Sequence, residues 1–341
     1  MNDGAGGHNR NNQNNGDIMT THNPIDQSTA TTQTPYQPRR QWQSHMLPVR
    51  NMHYHLRSWE PAQINPDLPV LVLAHGWMDV AASYQFVVDA FSEAFAQGRR
   101  IVAHDWRGFG LSRTAQPCDS YYFTDYLADL DMLLEQISPD RPVDLVGHSM
   151  GGNISCMYAG ARAERIRRFV NLEGFGMPET AASQAPKRLA QWMDELREQR
   201  AGGMALAPYA SVEAVADRLQ KTNRRLPRDK ALWLAHHWAA PDEQGHWRIL
   251  GDASHKITNP YLYRVDEALA CLASITAPTL SVEASDDSLG QGHKGRYSLG
   301  EYHQRLTHIP QCEIAVVQDA GHMLHHDQPE AVAKLIEDFL R

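Results

Sequence analysis

Val143-Asp144-Leu145-Val146-Gly147-His148-Ser149-Met150-Gly151-Gly152 is the stretch from which the rest of the chain can be read. It opens as a short apolar run suited to a buried strand, and Asn153 to Ala163 behind it has helical character. Between the two lies Gly-x-Ser-x-Gly, the pattern of a nucleophile elbow. A serine at the apex of a tight strand-to-helix turn is held in strained backbone angles, so Gly147 and Gly151 must lack side chains for strand and helix to pack closely behind it. The Ser149 hydroxyl is then pushed out at the carboxyl end of the sheet. The first turn of the helix leaves the Met150 N–H unpaired, aimed at an oxygen that gains charge when the serine attacks a carbonyl.

Working outward, strand and helix alternate. Upstream, Val70 to Ala74 is a continuous apolar run ending in His75-Gly76-Trp77, Ala81 to Gln97 has helical periodicity, and Arg100 to His104 is another buried run. Asp105-Trp106-Arg107-Gly108-Phe109-Gly110-Leu111-Ser112 is a glycine-rich loop, and Tyr121 to Ile137 carries apolar residues at helical spacing. Met46 to Val49 and Met52 to Trp59 read as two short strands ahead of these. Downstream, Ile166 to Leu172 is a strand whose end carries Glu173-Gly174-Phe175-Gly176-Met177-Pro178. From there to about Ser274 the alternation breaks into helical sequence rich in Trp192, Trp233, His236, His237, Trp238 and Trp247. It resumes with Pro278 to Glu283, a loop with Asp286 and Asp287, a helix from Leu299, a strand at Cys312 to Val317, Gly321-His322, and an amphipathic helix from Pro329. This order specifies an α/β fold, a mostly parallel, doubly wound sheet with right-handed crossovers.

Composition bounds the function. Of 341 residues, 42% are hydrophobic and 21% charged, enough for one large core. A net charge of -8 argues against a nucleic-acid surface, which needs clustered Lys and Arg. The one basic cluster, Arg224-Arg225-Leu226-Pro227-Arg228-Asp229-Lys230, reads as a solvated turn. Cys118, Cys156, Cys271 and Cys312 form no C-x-x-C pair and suit a reducing cytoplasm; no signal peptide or membrane-spanning run is recognised. The pairs His53/His55, His236/His237 and His325/His326 lack carboxylate or cysteine partners at ligand spacing, so neither metal nor cofactor is expected. Residues 1–43, mostly Asn, Gln, Thr, Gly and Pro, are expected to be a disordered, dispensable tail.

From about residue 44 to its end the chain resembles the α/β-hydrolase superfamily, specifically its lidded serine hydrolases and esterases. The matching blocks are His75-Gly76-Trp77, Asp105 to Ser112, Gly147 to Gly152 and Asp319-Ala320-Gly321-His322, in the family's order. The resemblance implies core segments at 44–173 and 275–341, with a helical lid over 174–274 inserted after the sixth strand of the family's sheet. It implies Ser149 as nucleophile, His322 as general base and acid, and the Trp77 and Met150 N–H groups as oxyanion hole. Arg107 is expected in a scaffold salt bridge, and His325 and His326 at a helix start or on the surface.

The acid departs from the common pattern. Most members carry it in a Gly-x-x-Asp-x-x-x-Pro run where this chain has Ala284-Ser285-Asp286-Asp287-Ser288-Leu289-Gly290, lacking both the Gly and the Pro. A minority, including one group of haloalkane dehalogenases, place it one strand earlier; Glu173, 24 positions after Ser149, corresponds to that placement. Glu173 is preferred, with Asp287 and then Asp286 as alternatives. Dehalogenases and epoxide hydrolases of this fold need an aspartate where Ser149 stands, so acyl chemistry on an ester, thioester, lactone or activated carbon-carbon bond is expected, on a small apolar acyl substrate. Cofactor-free haloperoxidase activity and a non-catalytic ligand binder are the competing readings.

Overall fold

A computed structural model describes residues 34–114 and 116–341. At its centre is a nine-stranded sheet. β1 (Gln43–Val49) and β2 (Met52–Trp59) form an antiparallel hairpin, and β2 runs antiparallel to β4 (Ile101–His104). From β4 onward every pairing is parallel, through β3 (Leu71–Ala74), β6 (Val143–His148), β7 (Ile166–Leu172), β10 (Thr279–Ala284) and β11 (Cys312–Val317). The two-residue β5 (Arg113–Thr114) pairs with β2. β3, β4, β6 and β10 are buried at every position. That is why their sequences run apolar without alternation: helices cover both faces.

On one face, α1 (Gln85–Ala90), α2 (Glu93–Ala96), α11 (Leu324–Asp327) and α12 (Pro329–Leu340) bury Val87, Phe95, Leu324, Val332, Ile336 and Leu340 against Leu73, Val146 and Val282. On the other, α3 (Phe123–Ile137), α4 (Met150–Ala161), α9 (Ser288–His293) and α10 (Leu299–Leu306) bury Leu130, Leu134, Ile154, Leu289 and Tyr302 against Val72 and Leu145. Each large apolar side chain so buried contributes about 1.5–3 kcal/mol. Among the described residues, no helix is long and apolar enough to cross a membrane.

Between β7 and β10 lies the helical segment, made of α5 (Ala185–Arg200), α6 (Val212–Thr222), α7 (Arg228–Trp238) and a short hairpin of β8 (Ala239–Pro241) and β9 (Trp247–Ile249). It has its own apolar cluster, in which Val215, Leu226, Leu234 and Trp238 pack on Val80, Ala82 and Phe86 of the body. α8 (Val265–Ala273), in the last part of this insertion, packs against α4. The contact is backbone to backbone: a Cβ on Gly160 would fall 2.1 Å from the Cys271 carbonyl oxygen.

Part of the stretch expected as tail is packed on the body. Residues 1–33 lie outside the described residues, but Tyr36 to Trp42 are docked on the body. The Tyr36 hydroxyl donates to Asp89, its ring meets Phe86 and Trp233 edge-on, and Arg40 donates to the Val88 and Asp89 carbonyls at 2.8 and 3.0 Å. Arg57 lies 4.0 Å over the Trp42 ring. The polar composition of residues 1–43 hid one aromatic at each end of this short strap. A chain starting at residue 43 should therefore melt at least about 5 °C below one starting at residue 35, in line with a loss of roughly 2 kcal/mol. Equal melting temperatures in a thermal scan would show that the strap contributes nothing.

Candidate active site

Ser149 sits between β6 and α4 with φ 51° and ψ -115°, a conformation costly for a residue with a Cβ. The surroundings hold it there. A Cβ on Gly147 would lie 2.5 Å from the Gly151 oxygen, and one on Gly151 2.3 Å from the Ala74 oxygen, so both glycines are required as the sequence pattern demands. Glu173, directly after β7, has φ 56°, and Met78, directly after Trp77, has φ 53°. Ser149 and Glu173, both in this region of backbone space, thus stand just past the carboxyl ends of the neighbouring strands β6 and β7.

The Ser149 hydroxyl lies 2.9 Å from His322 Nε2. On the far side of the ring, His322 Nδ1 lies 3.2 Å from Glu173 Oε2. The Glu173 side chain is buried, and its carboxylate also accepts from the Ala284 N–H at 2.7 Å and from the Ser288 hydroxyl. Those two donors fix the carboxylate so that Oε2 faces the imidazole. Asp287 and Asp286 are not brought to His322. Asp287 caps α9, accepting from the Gly290 N–H at 2.7 Å, and Asp286 pairs with Arg225 at 2.9 Å. A carboxylate, imidazole and hydroxyl in this order can draw a proton from the hydroxyl and stabilise the imidazolium that results. Ser288 was not foreseen; a serine one residue past an aspartate pair carries no signal of its own.

The loop after β3 is braced from below. His75 Nε2 accepts from the Trp106 N–H at 2.9 Å, and Asp105 accepts from Ala81 and Leu111 at 2.7 and 2.8 Å. Burial pushes His75 down to about 4, so it stays neutral and keeps that lone pair. Arg107 makes the expected scaffold bridge, with Nε 2.6 Å from Asp129 Oδ2. Met150 opens α4, where the first N–H groups of a helix have no partner within it.

Behind the serine lies a cluster the sequence did not reveal. Asp79, His148 and His325 are buried, with ligand-type atoms all within 4.8 Å of one another. His325 and His326, expected at a helix start or on the surface, do open α11 but are respectively 0% and 3% exposed. His148 Nε2 donates to the His322 carbonyl at 2.7 Å, which ties the nucleophile strand to the loop of the base. Asp79 Oδ1 accepts from the Val80 N–H and the Ser83 hydroxyl, while Oδ2 has no hydrogen-bond partner among the described residues. Burial, only partly offset by those bonds, raises Asp79 to about 7.

The folded state therefore keeps a proton on Asp79 that the unfolded chain releases near 3.9. Stability linked to that proton is full below pH ~4 and lost as pH rises toward 7, by up to about 4 kcal/mol at 1.36 kcal/mol per unit. Asp79→Asn mimics the protonated form. In urea titrations the variant should gain on the wild type by several kcal/mol between pH 4 and pH 8, whereas a pH-independent gap would contradict the protonated Asp79.

A model of the alpha/beta hydrolase fold matches residues 69–329. The chain belongs to the α/β-hydrolase fold family. A serine hydrolase-like protein of Danio rerio is 25% identical over 279 residues, covering 80% of this chain and 81% of its own. The biotin biosynthesis bifunctional protein BioHC of Teredinibacter turnerae is 27% identical over 291 residues, 83% of this chain but 46% of that protein. Among solved structures, the thioesterase domain from the curacin biosynthetic pathway superposes with a TM-score of 0.71 at 25% identity, covering 87% of this chain and 99% of that one.

In this α/β hydrolase a cavity of about 660 Å³ opens onto Ser149 and His322. Phe175, Met177, Leu289 and Met323 give it apolar walls, but Lys221, Arg224, Arg225 and Asp286 also line it. The lining is therefore mixed, where a small apolar acyl substrate was expected. Trp233 and His237 pack around Trp42, and the Trp238 indole donates to the Met78 carbonyl at 2.9 Å. These rings bind the insertion to the body, which leaves the turn after α6 to face the cavity.

Proposed function

We propose that this hydrolase is a serine esterase or thioesterase that works through an acyl-enzyme on Ser149. Carrying the reading is the unbroken line from Ser149 Oγ through His322 to Glu173, at 2.9 and 3.2 Å. His322 takes the serine proton as Ser149 attacks the carbonyl, then returns it to the leaving group; water repeats the sequence to free the acid. Glu173 holds Nδ1 protonated, so that Nε2 is the basic nitrogen. The oxyanion is received by the Met150 and Trp77 N–H groups, and the 174–274 insertion acts as a lid over the cavity. The serine at position 149 stands against alkyl-ester chemistry of the dehalogenase or epoxide-hydrolase kind, which requires a carboxylate nucleophile. Curacin's thioesterase domain and the serine hydrolase-like relative lend support by their names.

A panel of p-nitrophenyl esters of graded acyl length, with thioesters and lactones added, tests this reading. Turnover of at least one class, lost in Ser149→Ala, is expected. Folded protein inert toward every member would favour a non-catalytic binder, and halogenation without ester cleavage would favour the haloperoxidase reading.

A further inference from the structure

The one basic cluster of an acidic chain, read from sequence as a solvated turn, lies at the cavity that holds the nucleophile. Its cations can be taken in turn. Arg225 pairs with Asp286 at 2.9 Å, Arg228 with Asp217 at 2.6 Å, and Lys230 sits 5.0 Å over the Phe86 ring. Arg224 is left, with Lys221 one turn before it at the end of α6. Neither has an ion-pair or hydrogen-bond partner among the described residues, and both line the cavity. The carboxylates around that cavity are already engaged: Glu173 faces His322, Asp286 holds Arg225, and Asp327 accepts from the Gly321 N–H at 2.9 Å and from Asn223 Nδ2 at 2.7 Å.

We propose that the substrate carries an anionic group, a carboxylate or a phosphate, which Lys221 and Arg224 receive while its reacting carbonyl reaches Ser149. This rests on the acyl-transfer reading above. Phe175, Met177, Leu289 and Met323 would hold the apolar stem that joins the two ends. Two free cations on one turn are needed because a net charge of -8 repels an anion at long range, and local charge must overcome that within a Debye length of about 10 Å at 0.1 M salt. The anion has two possible sources: a carboxylate at the far end of the acyl chain, or a phosphate on the leaving group of a thioester.

Two matched substrate pairs separate them. The first is p-nitrophenyl butyrate against the mono-p-nitrophenyl ester of glutarate; the second is S-acetyl pantetheine against its 4′-phosphate. The wild type should prefer the anionic member of one pair by tenfold or more in kcat/KM, through KM, with the preference shrinking as salt is raised. In the Lys221→Met/Arg224→Met variant that ratio should fall about tenfold, equivalent to about 1.4 kcal/mol. The glutarate pair responding assigns the anion to the acyl side, the pantetheine pair to the leaving side. The bland alternative is that Lys221 only complements the negative end of α6 and Arg224 is only solvated. Under it the double variant changes neither ratio, which overturns the proposal. Labelling of Ser149 by a fluorophosphonate is measured alongside: labelled protein without charge discrimination refutes this inference alone, and unlabelled protein refutes the acyl-transfer reading beneath it.

Discussion

Ser149→Ala should lower kcat toward the best ester of the panel by roughly 10⁴ or more while leaving the melting temperature within a few degrees. The covalent bond is made by Oγ, and an alanine has no atom that can replace it. The fold should tolerate the change because Ser149 Oγ has one partner, the exposed edge of His322. The strain of φ 51° is imposed by Gly147, Gly151 and the close strand-helix packing, and an alanine Cβ meets the same walls. Loss of activity with loss of fold, seen by circular dichroism, would mean that the hydroxyl is structural. Near-normal turnover in a well-folded variant would refute the mechanism.

Glu173→Gln should lower kcat by roughly 10² to 10⁴. The amide oxygen can still accept from the Ala284 N–H, so the side chain keeps its place. Its NH₂ group then faces His322 Nδ1, where a donor meets a donor. The imidazole is driven to the tautomer with its proton on Nε2, which cannot accept the proton of Ser149, and the carboxylate charge that stabilised the imidazolium is gone. Asp287→Asn retains an N-cap oxygen for α9, and Asp286→Asn loosens an exposed pair worth about 0–1 kcal/mol; each should cost less than about tenfold in kcat. A crippled Asp287→Asn beside an active Glu173→Gln would reverse the assignment.

What the sequence carried, and what it did not, divides along a physical line. Backbone necessity was legible: Gly147 and Gly151 flank a serine because a Cβ at either place strikes main-chain atoms. The buried parallel strands were legible because both of their faces must be apolar. Glu173 could be preferred over Asp287 on spacing, but its partners Ala284 and Ser288, at the end of β10 and the start of α9, lie more than a hundred residues away. Asp79 in the loop after β3, His148 at the end of β6 and His325 in α11 are brought together only by the folded sheet, so no window of sequence contains the cluster. The same holds for direction. Trp233 and the Arg224 turn are adjacent segments of one insertion, and local pattern says that one is apolar and the other charged. Which of them faces the cavity is decided by docking on Phe86 and Trp42, and the turn read as solvated is the one that lines it.

The central claim is that Ser149 is an activated nucleophile. Intact-mass and peptide mass spectrometry after exposure to a fluorophosphonate reads this directly, because the reagent reacts with a serine only where a base and an oxyanion site act on it. The account predicts one adduct per chain, on Ser149, absent in Ser149→Ala and much slower to form in Glu173→Gln. Folded wild-type protein that stays unlabelled, or an adduct on another residue that persists in Ser149→Ala, would contradict it.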